Sequence, residues 1–383
     1  MSDVIARKNL WLRSGAWDGF WMLSGIWLLI PLLTFSHTSK AISIMLIMAT
    51  LILWLSHRFA TTYNAFCTPA YRTLRQGDRT RFVIWPSAAV LATFVFVFAP
   101  RVLVPLDTWG RVQILGTIFF LYNSYHFGVQ HYGVMSIYRI RAGQGYSGWS
   151  KQYERTYCLL VGAVLVAVAQ VCHGAEVVYD SILYHFVSRE SFAGLFSVLR
   201  MVAPPIVLLL AVIFYVGELK NKPISLPKLL YGTGLMLQGI AAYFLEPMSF
   251  LILWGVQHWL VSVALGAHMT QNDRSEMPVA SRWFQFWSRF NKGFWPTVFI
   301  LGLTSFLLTP LFQFAVHPEK LSGEAQFMSF LSPFITNVFI ANLFIAINFS
   351  SVYIHFIMDR AVFRFSDPAT RKVSATLLFA QTP

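Results

Sequence analysis

Residues 201–217 read MVAPPIVLLLAVIFYVG, a stretch without a single charged side chain. A helix rises about 1.5 Å per residue, so about 20 apolar residues cross a hydrocarbon core about 30 Å thick. Apolar runs of roughly 17 to 25 residues recur along the whole chain, each long enough for such a crossing. The sequence therefore predicts an all-α protein built as a polytopic bundle of transmembrane helices.

The composition agrees with a membrane protein. Of the 383 residues, 56% are hydrophobic and 12% are charged, whereas a soluble domain carries roughly 25% charged residues. No linker or shift in composition divides the chain, so residues 1–383 are expected to form a single integral-membrane domain. The segment 175–200 mixes charges with the apolar stretch SFAGLFSVL, and we expect an interfacial helix there.

About ten membrane spans follow from the apolar runs. We place them at residues 19–35, 41–57, 82–99, 112–136, 156–174, 201–217, 228–245, 248–269, 293–315 and 332–357.

The basic residues orient these spans. If the N-terminus is cytoplasmic, 23 of the 29 Lys and Arg residues fall on the cytoplasmic side. The positive-inside rule then predicts that both termini are cytoplasmic, in a protein of the bacterial inner membrane. Because the basic residues lie between hydrophobic segments rather than on one folded face, the net charge of +13 does not indicate nucleic acid binding. The three cysteines form no CxxC motif and indicate neither a disulfide framework nor a thiolate metal site.

Six of the ten histidines fall on the cytoplasmic half of this topology. They belong to the second, fourth, eighth and tenth spans, which all run from the outside to the inside. The six are His57, His126, His131, His258, His268 and His355.

The fourth span places polar side chains on one helix face. Steps of three and four residues link Asn123, His126 and Gln130. His131 lies about 140° round the helix from His126. It can join the same site if the glycines at 128 and 133 let another helix approach.

The tenth span contains the most site-like local motif. His355 and Asp359 are four residues apart, so imidazole and carboxylate can bind one ion, or the carboxylate can orient the imidazole. The predicted metal ligands are His126, His131, His258, His355 and Asp359, followed by His57 and His268. Asn123, Gln130 and Gln257 are predicted to orient these ligands.

Each residue also has a simpler interpretation. A single buried histidine often serves as an interhelical hydrogen-bond partner, His57 and His268 suit the headgroup region, and His355 with Asp359 suits a capping or salt-bridge pair. Six histidines in one leaflet, on four helices of the same direction, favour a metal site over these readings.

This pattern resembles the histidine-rich integral-membrane non-haem iron enzymes: lipid desaturases, hydroxylases, alkane monooxygenases and, more distantly, bacterial carotene dioxygenases. The desaturases and hydroxylases carry HxxxH and HxxHH boxes, whereas His126 and His131 have four residues between them, so no residue role carries over by motif. The resemblance implies iron-dependent oxidation of a membrane lipid or other hydrophobic small molecule, by hydroxylation, desaturation or cleavage. One or two iron ions and a cytoplasmic electron donor would serve such an oxidoreductase, while zinc and copper suit the same nitrogen-rich ligand set.

Three other classes remain open from the sequence. A haem-binding electron carrier would use two histidines, such as His131 and His258, as axial ligands. A transporter would line a pathway with intramembrane His, Gln and Asn side chains. A membrane-bound acyltransferase would need a single buried catalytic histidine.

Overall fold

The computed structural model describes residues 10–35, 40–145, 148–172, 188–275, 293–314 and 337–380. Within these ranges every regular element is helical and no residue belongs to a β-strand. The prediction of an all-α protein is confirmed.

The helices differ widely in length. In chain order they are α1 Gly15–Trp21, α2 Ser24–Trp27, α3 Leu29–Phe35, α4 Lys40–Cys67, α5 Arg72–Gly77, α6 Trp85–Phe98, α7 Thr108–Ala142, α8 Gly148–Leu159, α9 Leu165–Cys172, α10 Arg189–Lys220, α11 Leu226–Ala241, α12 Pro247–Asn272, α13 Phe294–Phe314, α14 Val338–Val362 and α15 Pro368–Phe379. A π-helical turn, Thr80–Ile84, leads into α6, and a second, Leu160–Val164, joins α8 to α9.

Every predicted span overlaps one of these helices. Four helical segments are long and apolar enough to cross a membrane: Thr80–Phe98, Ser150–Cys172, Glu190–Lys220 and Val338–Val362. The long helices α7 and α12 are not among these four. The full set of ten crossings and the cytoplasmic termini remain predictions.

The chain divides into two compact units. The first comprises residues 1–45 and 120–261. Its core includes Phe127, Phe250 and Trp254, packed against α9, α10 and α11. The N-terminal segment is fixed to this unit by the buried Asp18 carboxylate, which accepts hydrogen bonds from the Leu12 amide and the Tyr138 hydroxyl at 2.8 and 3.0 Å.

The second unit comprises residues 46–119 and 262–383. Helix α14 packs along α6, with Val97, Leu115 and Phe349 in the shared core. A second core joins α4 to α12 and α13. Asn337 directly precedes α14, and its side chain accepts hydrogen bonds from the backbone amides of Phe339 and Ile340 and so caps the helix.

Some helices extend beyond the predicted spans. Helix α4 continues ten residues past His57, because Arg58 is buried rather than placed in a loop. Its guanidinium donates to Asn348 at 2.7 Å and lies over the ring of Trp54, 3.5 Å from the centroid. Such contacts let a cation remain inside a helical bundle.

The predicted interfacial helix lies only partly in the described residues. Residues 175–187 are outside them, and residues 189–200 form the first turns of the long helix α10. Pro204 and Pro205 therefore lie inside that helix rather than near its start. Whether the chain is one domain is not tested by these features and stays a prediction.

One buried ion-pair cluster joins four helices of the first unit. Lys228 of α11 donates to Glu218 of α10 at 2.8 Å and also pairs with Glu154 of α8, which in turn pairs with Arg139 of α7. All four side chains are at most 1% exposed. The Tyr153 hydroxyl adds a 2.7 Å hydrogen bond to Glu218. We call these four charged residues the ion-pair cluster.

Candidate metal centre

Two buried histidines meet in the first unit. His126 of α7 and His258 of α12 have ring centroids 4.9 Å apart and rings inclined by 82°. Phe127 stacks on the His258 ring at 3.6 Å and fixes its plane. The Gln130 amide donates to the backbone carbonyl of His258 at 3.2 Å, which holds α12 against α7.

Two more buried histidines lie side by side in the second unit. His57 of α4 and His355 of α14 have ring centroids 4.1 Å apart. Asp359, one turn after His355, places a carboxylate oxygen 3.6 Å from Nδ1 of His355. The Thr61 hydroxyl lies 3.3 Å from the same nitrogen.

The two pairs share their chemistry and their burial. Each of the four histidines offers a ring nitrogen that can bind a metal ion. All four side chains are buried, with exposed fractions from 1% to 8%. We call these two pairs, His126 with His258 and His57 with His355, the histidine cluster.

The surroundings of His355 match those of a metal ligand. A ligating histidine usually presents its second ring nitrogen to a carboxylate, which sets the tautomer and the ring orientation. Asp359 and Thr61 both lie next to Nδ1. Nε2 is then the nitrogen that would bind the ion.

The other two histidines predicted as ligands, His131 and His268, lie outside the histidine cluster. Nδ1 of His131 is hydrogen bonded to the Tyr231 hydroxyl at 2.7 Å. Nε2 of His268 donates to the carbonyl oxygen of Leu378 at 3.1 Å, which ties α12 to α15. Both histidines have protein partners that account for their burial.

The sequence suggested that Gly128 and Gly133 could each let another helix approach α7, and the structure shows a close neighbour at Gly128. A Cβ atom at Gly128 would lie 3.0 Å from Ala163 and Leu159, whereas Gly133 has nothing within 4 Å. Across from α7, a Cβ atom at Gly162 would lie 2.8 Å from the His131 ring. His131 thus packs against the π-helical turn.

The predicted orienting residues act differently from one another. Gln130 reaches the backbone of His258 rather than a ring nitrogen. Gln257 accepts a hydrogen bond from Gln238 of α11. Asn123 lies half-buried one turn before His126.

Thr61 and Phe127 were not predicted from the sequence. Thr61 follows His57 by four residues, so its position on the same helix face was the available signal. Phe127 follows His126 directly, and nothing in the sequence connects it to His258.

Comparison with protein-family models, with curated proteins and with solved structures found no match for this chain.

Proposed function

We propose that this protein is an integral-membrane non-haem iron oxygenase that acts on a lipidic or other hydrophobic substrate. The observation that carries the proposal is the histidine cluster, two pairs of buried imidazoles with ring centroids 4.9 and 4.1 Å apart within each pair.

The ligand chemistry supports a redox-active first-row metal. Imidazole nitrogen suits iron, copper and zinc, and the potential ligands are imidazoles rather than the thiols of Cys67, Cys158 and Cys172. Four nitrogens would complete the tetrahedral shell of zinc and leave it closed. Iron accepts six ligands, so four histidines leave positions for dioxygen or substrate.

The surroundings support oxidation of a hydrophobic compound. Bound iron would activate dioxygen, and this chemistry proceeds best where water is excluded. The cluster residues are nearly inaccessible to solvent. Asp359 and Thr61 hold the His355 ring, while Phe127 holds that of His258. In this proposal a cytoplasmic donor supplies the electrons for the oxidation.

The test is the metal content of the detergent-purified protein after anaerobic iron loading. We expect about one iron per chain in the wild type. His57→Ala, His126→Ala, His258→Ala and His355→Ala should each lose most of it. The matched controls are His131→Ala and His268→Ala, which remove histidines that are equally buried but lie outside the cluster.

Two results would overturn the proposal. One is a wild-type protein that retains no transition metal after loading. The other is equal loss of metal in all six variants, which would separate metal content from the geometry of the cluster. A Soret band in the purified protein would identify a haem carrier instead, and stoichiometric zinc that iron does not replace would identify a closed structural site.

A further inference from the structure

A cavity of about 370 Å³ lies among α4, α6, α13 and α14 of the second unit. Its wall is almost entirely hydrocarbon and includes the rings of Phe59, Phe94 and Phe344. Ser350 and Ser351 are the two polar residues that line it. Its volume is near the lower end of the range for small-molecule sites, about 300–1,000 Å³, so it suits one chain rather than a whole two-chain lipid.

The cavity is placed to receive ligands from the bilayer. Two of its walls, Thr80–Phe98 and Val338–Val362, are apolar enough to cross a membrane. On α14 the lining residues run from Phe344 to Ile354, the middle of that helix. Ile347 on this wall is 42% exposed, so the cavity opens toward the outer surface of the helices. For a transmembrane helix that surface is in contact with lipid.

One hydroxyl in this apolar cavity lacks a hydrogen-bond partner among the described residues. Ser350 is 4% exposed and its Oγ makes no hydrogen bond there. Ser351, by contrast, accepts from Arg58 at 3.2 Å and donates to the Asn348 carbonyl at 2.7 Å. A buried hydroxyl without a partner loses its hydrogen bonds to water and gains none in return, which is unfavourable. A ligand with one polar group would remove that cost.

The polar end of the cavity lies close to the histidine cluster. Ser351 and His355 are four residues apart on one face of α14, about 6 Å along the helix axis. Arg58, which binds Ser351, follows His57 directly. A chain bound by Ser350 would therefore reach the neighbourhood of His355.

We propose that this cavity binds a single hydrocarbon chain bearing one hydroxyl or carbonyl group, with that group hydrogen bonded to Ser350. Its role as the substrate site rests on the function proposed above. Binding itself requires no metal.

The experiment uses photolabelling in lipid nanodiscs. The probe is a long-chain alcohol that carries a diazirine, compared with the diazirine-bearing alkane of equal length, and the labelled peptides are mapped by mass spectrometry. We expect the alcohol to label α6 and α14 several-fold more strongly than the alkane does. Ser350→Ala should remove that preference, while Ser197→Ala on the exposed face of α10 should leave it intact.

A blocking variant tests the cavity itself. Ile347→Trp should fill the cavity and abolish labelling by the alcohol. Leu209→Trp introduces the same large side chain at an exposed apolar position of α10 and should leave this labelling unchanged. Equal labelling by alcohol and alkane, unaffected by Ser350→Ala, would mean that ordinary acyl chains fill the cavity and would overturn the inference.

Metal content separates this inference from the proposed function. Labelling is repeated on metal-free wild type and on His355→Ala. Selective labelling in a protein that never binds metal would support the cavity and refute the oxygenase. Metal binding without selective labelling would refute the cavity alone.

Discussion

The ion-pair cluster and the histidine cluster are both buried and polar, but they differ in how their charges are balanced. In the ion-pair cluster two cations face two carboxylates, and Lys228 lies 2.8 Å from Glu218. The histidine cluster consists of residues of one chemical kind, arranged as two close pairs. Opposite charges that satisfy one another explain their own burial. Paired imidazoles are instead the kind of group that a metal ion can bind.

The largest effect should come from opening the ion-pair cluster. Lys228→Ala leaves Glu154 and Glu218 buried without this cation, and removing one partner of a buried pair costs about 3–5 kcal/mol. We expect a correspondingly lower free energy of unfolding, measured by denaturation in detergent. Lys220→Ala, at an exposed site nearby, is the control. If Lys228→Ala is as stable as Lys220→Ala, the ion pairs of Lys228 contribute nothing to the free energy of unfolding.

A smaller effect is expected beside the histidine cluster. Asp359→Asn keeps the shape of the side chain but removes the charge next to Nδ1 of His355. Loss of such a partner typically weakens metal binding about 10–100-fold. Titration with iron or cobalt measures the change, and Asp107→Asn, in an exposed loop, serves as the control. An unchanged affinity for the metal would show that Asp359 does not contribute to the metal centre.

The smallest effect concerns a histidine outside the cluster. Tyr231→Phe removes the hydroxyl bonded to His131 and should lower the free energy of unfolding by about 1 kcal/mol. The metal content of this variant should stay at the wild-type level. The control is Tyr125→Phe, a change at an exposed tyrosine, which should also leave the metal content unchanged. Loss of metal in Tyr231→Phe but not in Tyr125→Phe would indicate that His131 contributes to the metal centre.

The sequence predicted the helices better than it predicted their ends. The runs of apolar residues identified the helices, and the inferred depth of six histidines along them selected the candidate metal ligands. Depth alone does not specify how a helix is rotated, so His131 and His268 were indistinguishable from the other four. Their hydrogen bonds to Tyr231 and Leu378 depend on packing between segments about 100 residues apart.

Buried charged residues explain why some helices extend beyond the ends of the predicted spans. Arg58 and Arg139 lie beyond the ends of the predicted spans 41–57 and 112–136, among the basic residues assigned to the cytoplasmic side. Each instead lies in a helix beside residues distant in sequence: Asn348 for Arg58 and Glu154 for Arg139. No local pattern in the sequence indicates such partners.

The composition of the histidine cluster has an electrostatic consequence. Neutral imidazoles contribute no negative charge, so a divalent ion would keep both of its positive charges in a medium of low dielectric constant. One carboxylate, Asp359, lies beside His355 and balances at most one of them. The buried guanidinium of Arg58, next to His57 in the chain, adds to the excess. The loaded centre would therefore favour anions as further ligands, and azide or cyanide should bind it more tightly than neutral molecules of the same size.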